Sequence, residues 1–541
     1  MAAPAKLTLE QRVLQLVFPG FRFGSDDPAA AERLAAMGVG GFCLYGGEKS
    51  EVAAFTRRLQ ETAEIPLLFC GDYEEGTASH VAGGTRLPPN MAIGASGRAD
   101  LARRKAQLTA VEARAMGVRW VLAPVLDLAT LPLNPIVNLR SFGADPEAAA
   151  KMGKAYMRGL KDMGVLSCAK HFPGHGETRQ DSHLELPVLA LDKRTLLRRE
   201  LVPFMRTKSA ADSVMVAHLR IPALGAAKVP ASLSRDVVGG LLRKTLRFSR
   251  LTVTDALSMK AIADHYGDEE ACLLALRAGV DVFLVPTDAL GLVRTLPGKV
   301  EADPALRRMA AASYKRLVQA KKACGLWRDK GLAPEADLDL VGCSAHQAEA
   351  RRMASACLAW VRRKSTLSGK KRVVYVEPDA ESPGDWKGGA FIEELKSFGI
   401  EAEPAASSEG EPAVVASFLR PRAYSGRISF SDEEVRRARA SLSAPRDSFL
   451  VSFGSPFVFD QLKGWDTGLC AFSDADAAQR AAAWALSGRL EARGSMPVSL
   501  ESAAIARRAR ATRRAGARRA PANDGIHPSS STRQPRRLRS Q

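Results

Sequence analysis

The chain has 541 residues, 46% of them hydrophobic and 25% charged, a composition that suits a globular protein with two cores and excludes global disorder. Its formal net charge of +19 is unevenly spread: residues 505–541 hold eleven arginines against the single acidic residue Asp524, so the rest is only moderately basic. No apolar stretch approaches the ~20 residues that cross a bilayer, and no CxxC pair among the cysteines suggests a zinc ribbon or redox motif.

The N-terminal pattern LxLEQRVLQLV carries charges within its apolar run and predicts an amphipathic helix, not a signal sequence. Cytoplasmic residence is therefore expected, and the eight cysteines read as reduced, mostly buried thiols. From residue 10 to 330, apolar strand-like runs alternate with helix-like segments. Strands are predicted at 14–20, 40–46, 66–72, 120–127, 165–171, 213–218, 251–256 and 280–286, with helices such as 98–117, 145–164 and 268–279 between them. Eight such units predict an α/β fold of the (β/α)8 TIM-barrel type, with a doubly wound sheet as the alternative.

Beyond residue 340 a short linker and a helix lead into further strand-like runs at 372–379, 413–421, 448–456 and 469–474, which predict a smaller α/β sandwich. The expected organisation is a catalytic barrel at 1–335, a sandwich domain at 336–503 and a disordered Arg-rich tail at 504–541. The tail reads as a dispensable extension, with a weak electrostatic arm for nucleic acid or another anionic polymer as the alternative.

Polar residues fall where the predicted strands end. Asp72, Asp127, Lys170 with His171, His218 and Asp255 each lie at or near a strand's C-terminal end, the mouth at which barrels gather reactive groups. Asp127 is read as fixing its loop, and His218 as supporting a reacting group. After the fifth strand, CAKHFPGHGETRQDSHLELP packs Lys170, His171, His175, Asp181 and His183 into one glycine-broken loop, and Pro173 stops any helix there. Only Ser182 separates Asp181 from His183, so an extended backbone would send both side chains to one side. A carboxylate placed there orients an imidazole and stabilises its protonated form, as a proton shuttle near neutral pH requires. Asp255, on a rigid strand end, has the position of a nucleophile. Arg140 and Asp72 offer charged hydrogen bonds to hydroxyl groups, and Lys170 and His171 add donors. No Walker-type or GxGxxG loop accompanies them, which favours a pyranose over a phosphate.

KHFPGHG followed by DSH, then MVAH, PASLS and VTDALSM, resembles the β-N-acetylhexosaminidase branch of glycoside hydrolase family 3. PVLDLATLPLNPIVNLRSFGADPE is similar to the stretch carrying that family's sugar-binding arginine, and LVSFGSPFVFDQL and RGSMPVSL resemble its second domain. The resemblance runs from about residue 10 to 500. It implies a retaining exo-β-N-acetylglucosaminidase with Asp255 as nucleophile and the His183 and Asp181 pair as general acid/base. It further implies that Asp72, Arg140, Lys170 and His171 hold the terminal N-acetylglucosamine, and that muropeptide turnover is the setting. The sequence departs from the family at GDYEEGTASH, where Glu75 replaces the first of two glycines, and at 222–230, which lacks an acidic residue often found there.

Two alternatives stay within the family, a β-N-acetylglucosaminide phosphorylase or another β-glycosidase. A third is a metal-dependent barrel hydrolase with His171, His175, Asp181 and His183 as ligands; the Pro-Gly break between the first two histidines disfavours it. The expectation is an enzyme without cofactor or metal, acting as monomer or homodimer on a small carbohydrate, with no membrane partner.

Overall fold

The computed structural model describes residues 7–380, 384–408, 411–421, 427–443 and 447–501. The Arg-rich tail expected from residue 504 lies outside the described residues. The described residues up to Leu500 belong to one compact unit.

Within it, nine short strand segments close into a parallel barrel. They are β1 (Val17–Phe18), β2 (Gly20–Arg22), β3 (Gly41–Tyr45), β4 (Leu68–Gly71), β5 (Trp120–Val121), β6 (Cys168–Phe172), β7 (Ser213–Val216), β8 (Leu251–Thr254) and β9 (Phe283–Leu284). β1 and β2 are two pieces of the first barrel strand, giving eight staves. β2, β3, β4 and β5 form one ladder and β6, β7 and β8 another. Parallel bridges from Trp120 to Leu166 and from Val253 to Val282 join neighbouring ladders, and β1 pairs with β9 to complete the ring. The staves are buried on both faces, so they read in sequence as apolar runs rather than alternating ones. Tight packing at the barrel foot requires glycine: a Cβ on Gly41 would lie 1.9 Å from the Leu68 carbonyl oxygen.

Helices cover the outside for reasons visible in the sequence. Pro146–Asp162, for example, begins with Asp145 accepting the Ala148 N–H and with proline in the first turn. Its buried face, including Ala149, Met152, Gly153, Tyr156 and Leu160, follows helical spacing.

Several staves have bounds that differ from the sequence expectation, among them the first and the fourth. The first stave begins at Val17, not residue 14, because the amphipathic helix Leu9–Leu14 takes Leu14 and its closing turn takes Gln15 and Leu16; the shift carries Arg22 to the barrel mouth. The fourth is regular strand only at Trp120–Val121 and is interrupted around Pro124, which cannot donate to a ladder, although a parallel bridge to β6 reappears between Val125 and Lys170.

The second layer system is a six-stranded sheet made of β10 (Ala359–Arg362), β11 (Arg372–Val376), β12 (Glu401–Pro404), β13 (Ala413–Ser417), β14 (Ser448–Ser452) and β15 (Thr467–Cys470). Its order is β10-β15-β14-β13-β11-β12, parallel except for β10, which runs antiparallel at the edge. Val373, Tyr375, Val414, Ala416, Phe449 and Val451, spaced by two along their strands, join one core with Phe391, Leu395 and Leu486 from flanking helices. The architecture is thus a TIM-type barrel followed by an α/β sandwich. All eight cysteines are free thiols, and all but Cys343 are buried.

Candidate active site

A cavity of about 710 Å³ opens at the C-terminal mouth of the barrel. Asp72, Arg140, Lys170, His171, His183 and Asp255 all line it, although they come from five different segments. The structure therefore brings six of the seven residues singled out in the sequence to one hollow, with the seventh, Asp181, bonded to His183.

Behind β4, the chain DYEE supplies a second carboxylate that sequence reasoning left without a role. Lys170 Nζ donates to Asp72 Oδ1 at 2.6 Å and lies 2.7 Å from Glu74 Oε1. Arg140 donates through Nε and Nη2 to both oxygens of Glu74, at 2.8 and 2.7 Å. Burial opposes the Glu74 charge, but Arg140 and Lys170 outweigh it and hold the carboxyl well below its usual range. Burial likewise works against the Lys170 ammonium, and Asp72 and Glu74 raise its pKa despite that. The result is a fixed ion cluster along one wall of the cavity, with each cation already matched to a carboxylate.

His171, at the end of β6, is oriented from below. Its Nδ1 lies 2.6 Å from Asp127 Oδ2, and the same carboxylate accepts the backbone N–H groups of His171 and His175. Asp127 is fully buried; these donors and the two imidazoles prevail over desolvation and keep it ionised. It fixes the loop, as the sequence suggested, and also sets the imidazole.

The end of β6 and the start of the loop after it carry cis peptides, at Lys170–His171 and Phe172–Pro173. Asn134 Nδ2 donates to the carbonyls of His175 and Gly176, tying this loop to the one after the fourth stave. Gly174 has φ of +128°, and a Cβ there would lie 2.9 Å from the Glu200 Cβ, so the loop rests directly on that buried side chain. Glu200 Oε1 accepts Arg199 Nε at 2.7 Å, while its buried Oε2 has no hydrogen-bond partner among the described residues. Burial pushes its carboxyl up to about 7.

Both ring nitrogens of His175 are engaged, Nδ1 with Thr178 and Nε2 with Ser182, and burial lowers its pKa to about 4. With both nitrogens engaged by neighbouring hydroxyls, neither is presented to a metal ion. Among the described residues, no three His, Cys, Asp or Glu side chains converge as a metal site.

His183 Nδ1 lies 2.7 Å from Asp181 Oδ1, and that oxygen also accepts the His183 backbone N–H. The pairing does not arise from an extended backbone, as the spacing alone suggested. Residues 182–184 form a turn, and the Asp181 side chain bonds forward to the residue two positions on.

Asp255 follows β8. Burial disfavours its charge, yet the imidazoles of His171, His218 and His183 and the Ala256 N–H bring the carboxyl down to about 2. His218 is buried beneath the cavity, where its Nε2 lies 3.1 Å from the Ala256 carbonyl and its Nδ1 2.7 Å from the Ser232 hydroxyl. It buttresses the strand end that presents Asp255.

A closed parallel barrel with its charged cavity at the C-terminal mouth, followed by an α/β sandwich, is an architecture of enzymatic type. Residues 8–319 match the model of the glycosyl hydrolase family 3 N-terminal domain. The chain belongs to this family. It is 32% identical over 284 residues to a β-hexosaminidase A of Pseudoalteromonas piscicida, covering 48% of each chain. It is 30% identical over 366 residues to a β-N-acetylglucosaminidase/β-glucosidase of Cellulomonas fimi, covering 65% of this chain and 64% of that one. The chain thus spans about half to two thirds of the length of these curated relatives. Among solved structures, a family 3 β-N-acetylglucosaminidase from Paenibacillus sp. matches with a TM-score of 0.81 and 29% identity, over 92% of this chain and 99% of that one.

Proposed function

We propose that the protein is a retaining exo-β-N-acetylglucosaminidase, with muropeptide-type N-acetylglucosaminides as its natural substrates. The observation that carries this reading is the presence, in one cavity, of an ionised strand-end carboxylate, Asp255, and an imidazole backed by its own carboxylate, His183 with Asp181. The names of the relatives support the substrate class.

In the first step an oxygen of Asp255 attacks the anomeric carbon as the glycosidic bond breaks, and His183 passes its Nε2 proton to the departing oxygen. Nδ1 keeps its proton facing Asp181, which orients the ring in both protonation states. In the second step His183 takes a proton from water, the resulting hydroxide attacks the anomeric carbon, and the bond to Asp255 breaks with overall retention. Lys170, Asp72, Arg140 and His171 hold the sugar hydroxyls; being already fixed by Glu74 and Asp127, they need little reordering when substrate arrives.

The test is hydrolysis of a chromogenic β-N-acetylglucosaminide by the wild type and by Asp255→Asn. Turnover by the wild type and its abolition in the variant are expected. A wild type without turnover, or a variant with undiminished turnover, would overturn the assignment.

A further inference from the structure

The loop that carries Asp72 and Glu74 also carries Glu75, and Glu75 is gripped from the second domain. Arg420 Nη2 donates to Glu75 Oε1 at 2.6 Å. Its Nη1 donates to Asp474, which also accepts Arg86 Nη2, and Arg86 Nε lies 3.9 Å from Glu75 Oε2. Two carboxylates and two guanidinium groups alternate around a closed ring. Glu75 and Arg86 belong to the barrel; Arg420 and Asp474 follow β13 and β15 at the carboxyl edge of the second sheet.

This ring is built into the cavity rather than lying on its outside. Arg420, Glu75 and Arg86 all line the cavity, and the Arg420 side chain is only 9% exposed. Burial alone would weaken the guanidinium, but Glu75 and Asp474 raise its pKa, so the charge is permanent. Its backbone is equally set, since the preceding Leu419 carbonyl accepts the Ser455 N–H at 2.8 Å. The anchor is stiff on the sandwich side.

On the barrel side the loop is held by Lys170 and Arg140 at Asp72 and Glu74 and by Glu112 at Thr77 and Thr85, whereas the Glu75 backbone is supported locally. Glu75 N–H donates to the Ser79 hydroxyl and its carbonyl accepts from Leu87 N–H, both contacts internal to the loop. Gly76, with φ of +83°, turns the chain sharply after Glu75, and its missing Cβ allows the Thr85 carbonyl to approach. Asp72 and Glu74 thus sit on a turn held from the barrel through Lys170 and Arg140 and from the second sheet through Glu75 and Arg420.

We propose that Arg420 is a positioning residue: acting through Glu75, it holds the Asp72–Glu75 loop in the geometry that receives the sugar, so the second domain takes part in substrate binding. Glu75 does not meet the substrate as an added free charge; its carboxylate is occupied by arginine. This inference rests on the sugar-holding role proposed for Asp72, and it adds a contribution from a domain that supplies neither Asp255 nor His183.

Arg420→Ala, Arg420→Lys, Glu75→Gln and the Glu75→Gln/Arg420→Ala double variant test it, each checked for folding by thermal melting. With a chromogenic β-N-acetylglucosaminide, Arg420→Ala should raise KM about tenfold or more, with a smaller change in kcat. Arg420→Lys should recover part of the loss, and the double variant should be no worse than Arg420→Ala, because both changes break one linkage. Hydrogen exchange of the wild type and Arg420→Ala, measured without substrate, should show faster exchange within residues 72–87 in the variant. Unchanged KM beside an active wild type, or unchanged exchange in that loop, overturns the inference. An inactive wild type overturns the proposed function instead, and the exchange comparison still decides the role of Arg420.

Discussion

Asp127 and His171, 44 residues apart in the chain, meet at 2.6 Å beneath the cavity, and the backbone amides of His171 and His175 turn toward the same carboxylate. One buried acid thus sets both a ring and the course of the loop above it. Asp127→Ala would leave those three donors without their acceptor in a place water does not reach. We expect a loss of stability on the order of 3 kcal/mol, read by urea denaturation, together with a fall in kcat/KM. A stability within error of the wild type would show that the loop holds its course without the carboxylate.

The paired imidazole gives a prediction that depends on the leaving group. A nitrophenolate needs little protonation to depart, so His183→Ala should still transfer the sugar to Asp255 and then release it slowly. Rapid mixing should record a burst of nitrophenol close to one equivalent of enzyme, followed by a steady rate lower by about 10²–10⁴-fold. Substrates with sugar leaving groups should be turned over hardly at all. Equal losses on both substrate types, with no burst, would remove His183 from the acid/base role.

Phosphate should not serve as the acceptor. Lys170 and Arg140, the cations of the inner wall, are already matched to Asp72 and Glu74, and Asp255 and Asp181 add negative charge nearby. Lys170 and Arg140, both paired with carboxylates, therefore offer an entering phosphate no free charge. In millimolar phosphate the product should be free N-acetylglucosamine at an unaltered rate; a sugar 1-phosphate, detected by phosphorus NMR, would assign the chain to the phosphorylases.

Glu200 makes stability depend on pH. Its carboxyl rises from the usual 4.5 to about 7 in the folded chain because burial disfavours the charge, with Asp127 and Glu177 adding to the shift. Between those values the folded state binds more protons than the unfolded one, so this contribution is complete below about 4.5 and lost by about 7. Glu200→Gln stays neutral throughout and keeps an oxygen for Arg199. It should melt higher than the wild type above pH 7, by a stability difference on the order of 3 kcal/mol at most, with the difference vanishing near pH 4. Parallel melting curves across that range would mean that Glu200 is ionised in the fold.

The staves and their polar ends were legible because a parallel strand buried on both faces is a run of apolar residues that stops where the chain reaches solvent. LTVTD and VLSCAKH are of this kind. Two sandwich strands were not legible. β12 is an edge strand in which only Ala402 is buried, and β10 buries only Ala359, so neither carries an apolar run. The importance of Glu74 was hidden for another reason: its partners Arg140 and Lys170 come from other strand ends, and no local spacing announces a three-loop ion cluster. Arg420 lies 345 residues from Glu75, beyond any periodicity. What the sequence did reveal there was the irregularity itself, an acid where the resemblance leads one to expect glycine.

Glu112, on the outer helix Ala99–Ala115, accepts Thr77 and Thr85 from the barrel and Gly342 N–H and His346 Nδ1 from the segment beyond it. A shortened chain ending at residue 335 would keep every stave of the ring, yet it would strip this carboxylate of two of its four companions and remove Arg420 as well. The barrel is a closed figure in its strand ladder but not in its side-chain bonding. Excising it as an independent module is therefore a change to its interior, not merely a trimming of what hangs outside.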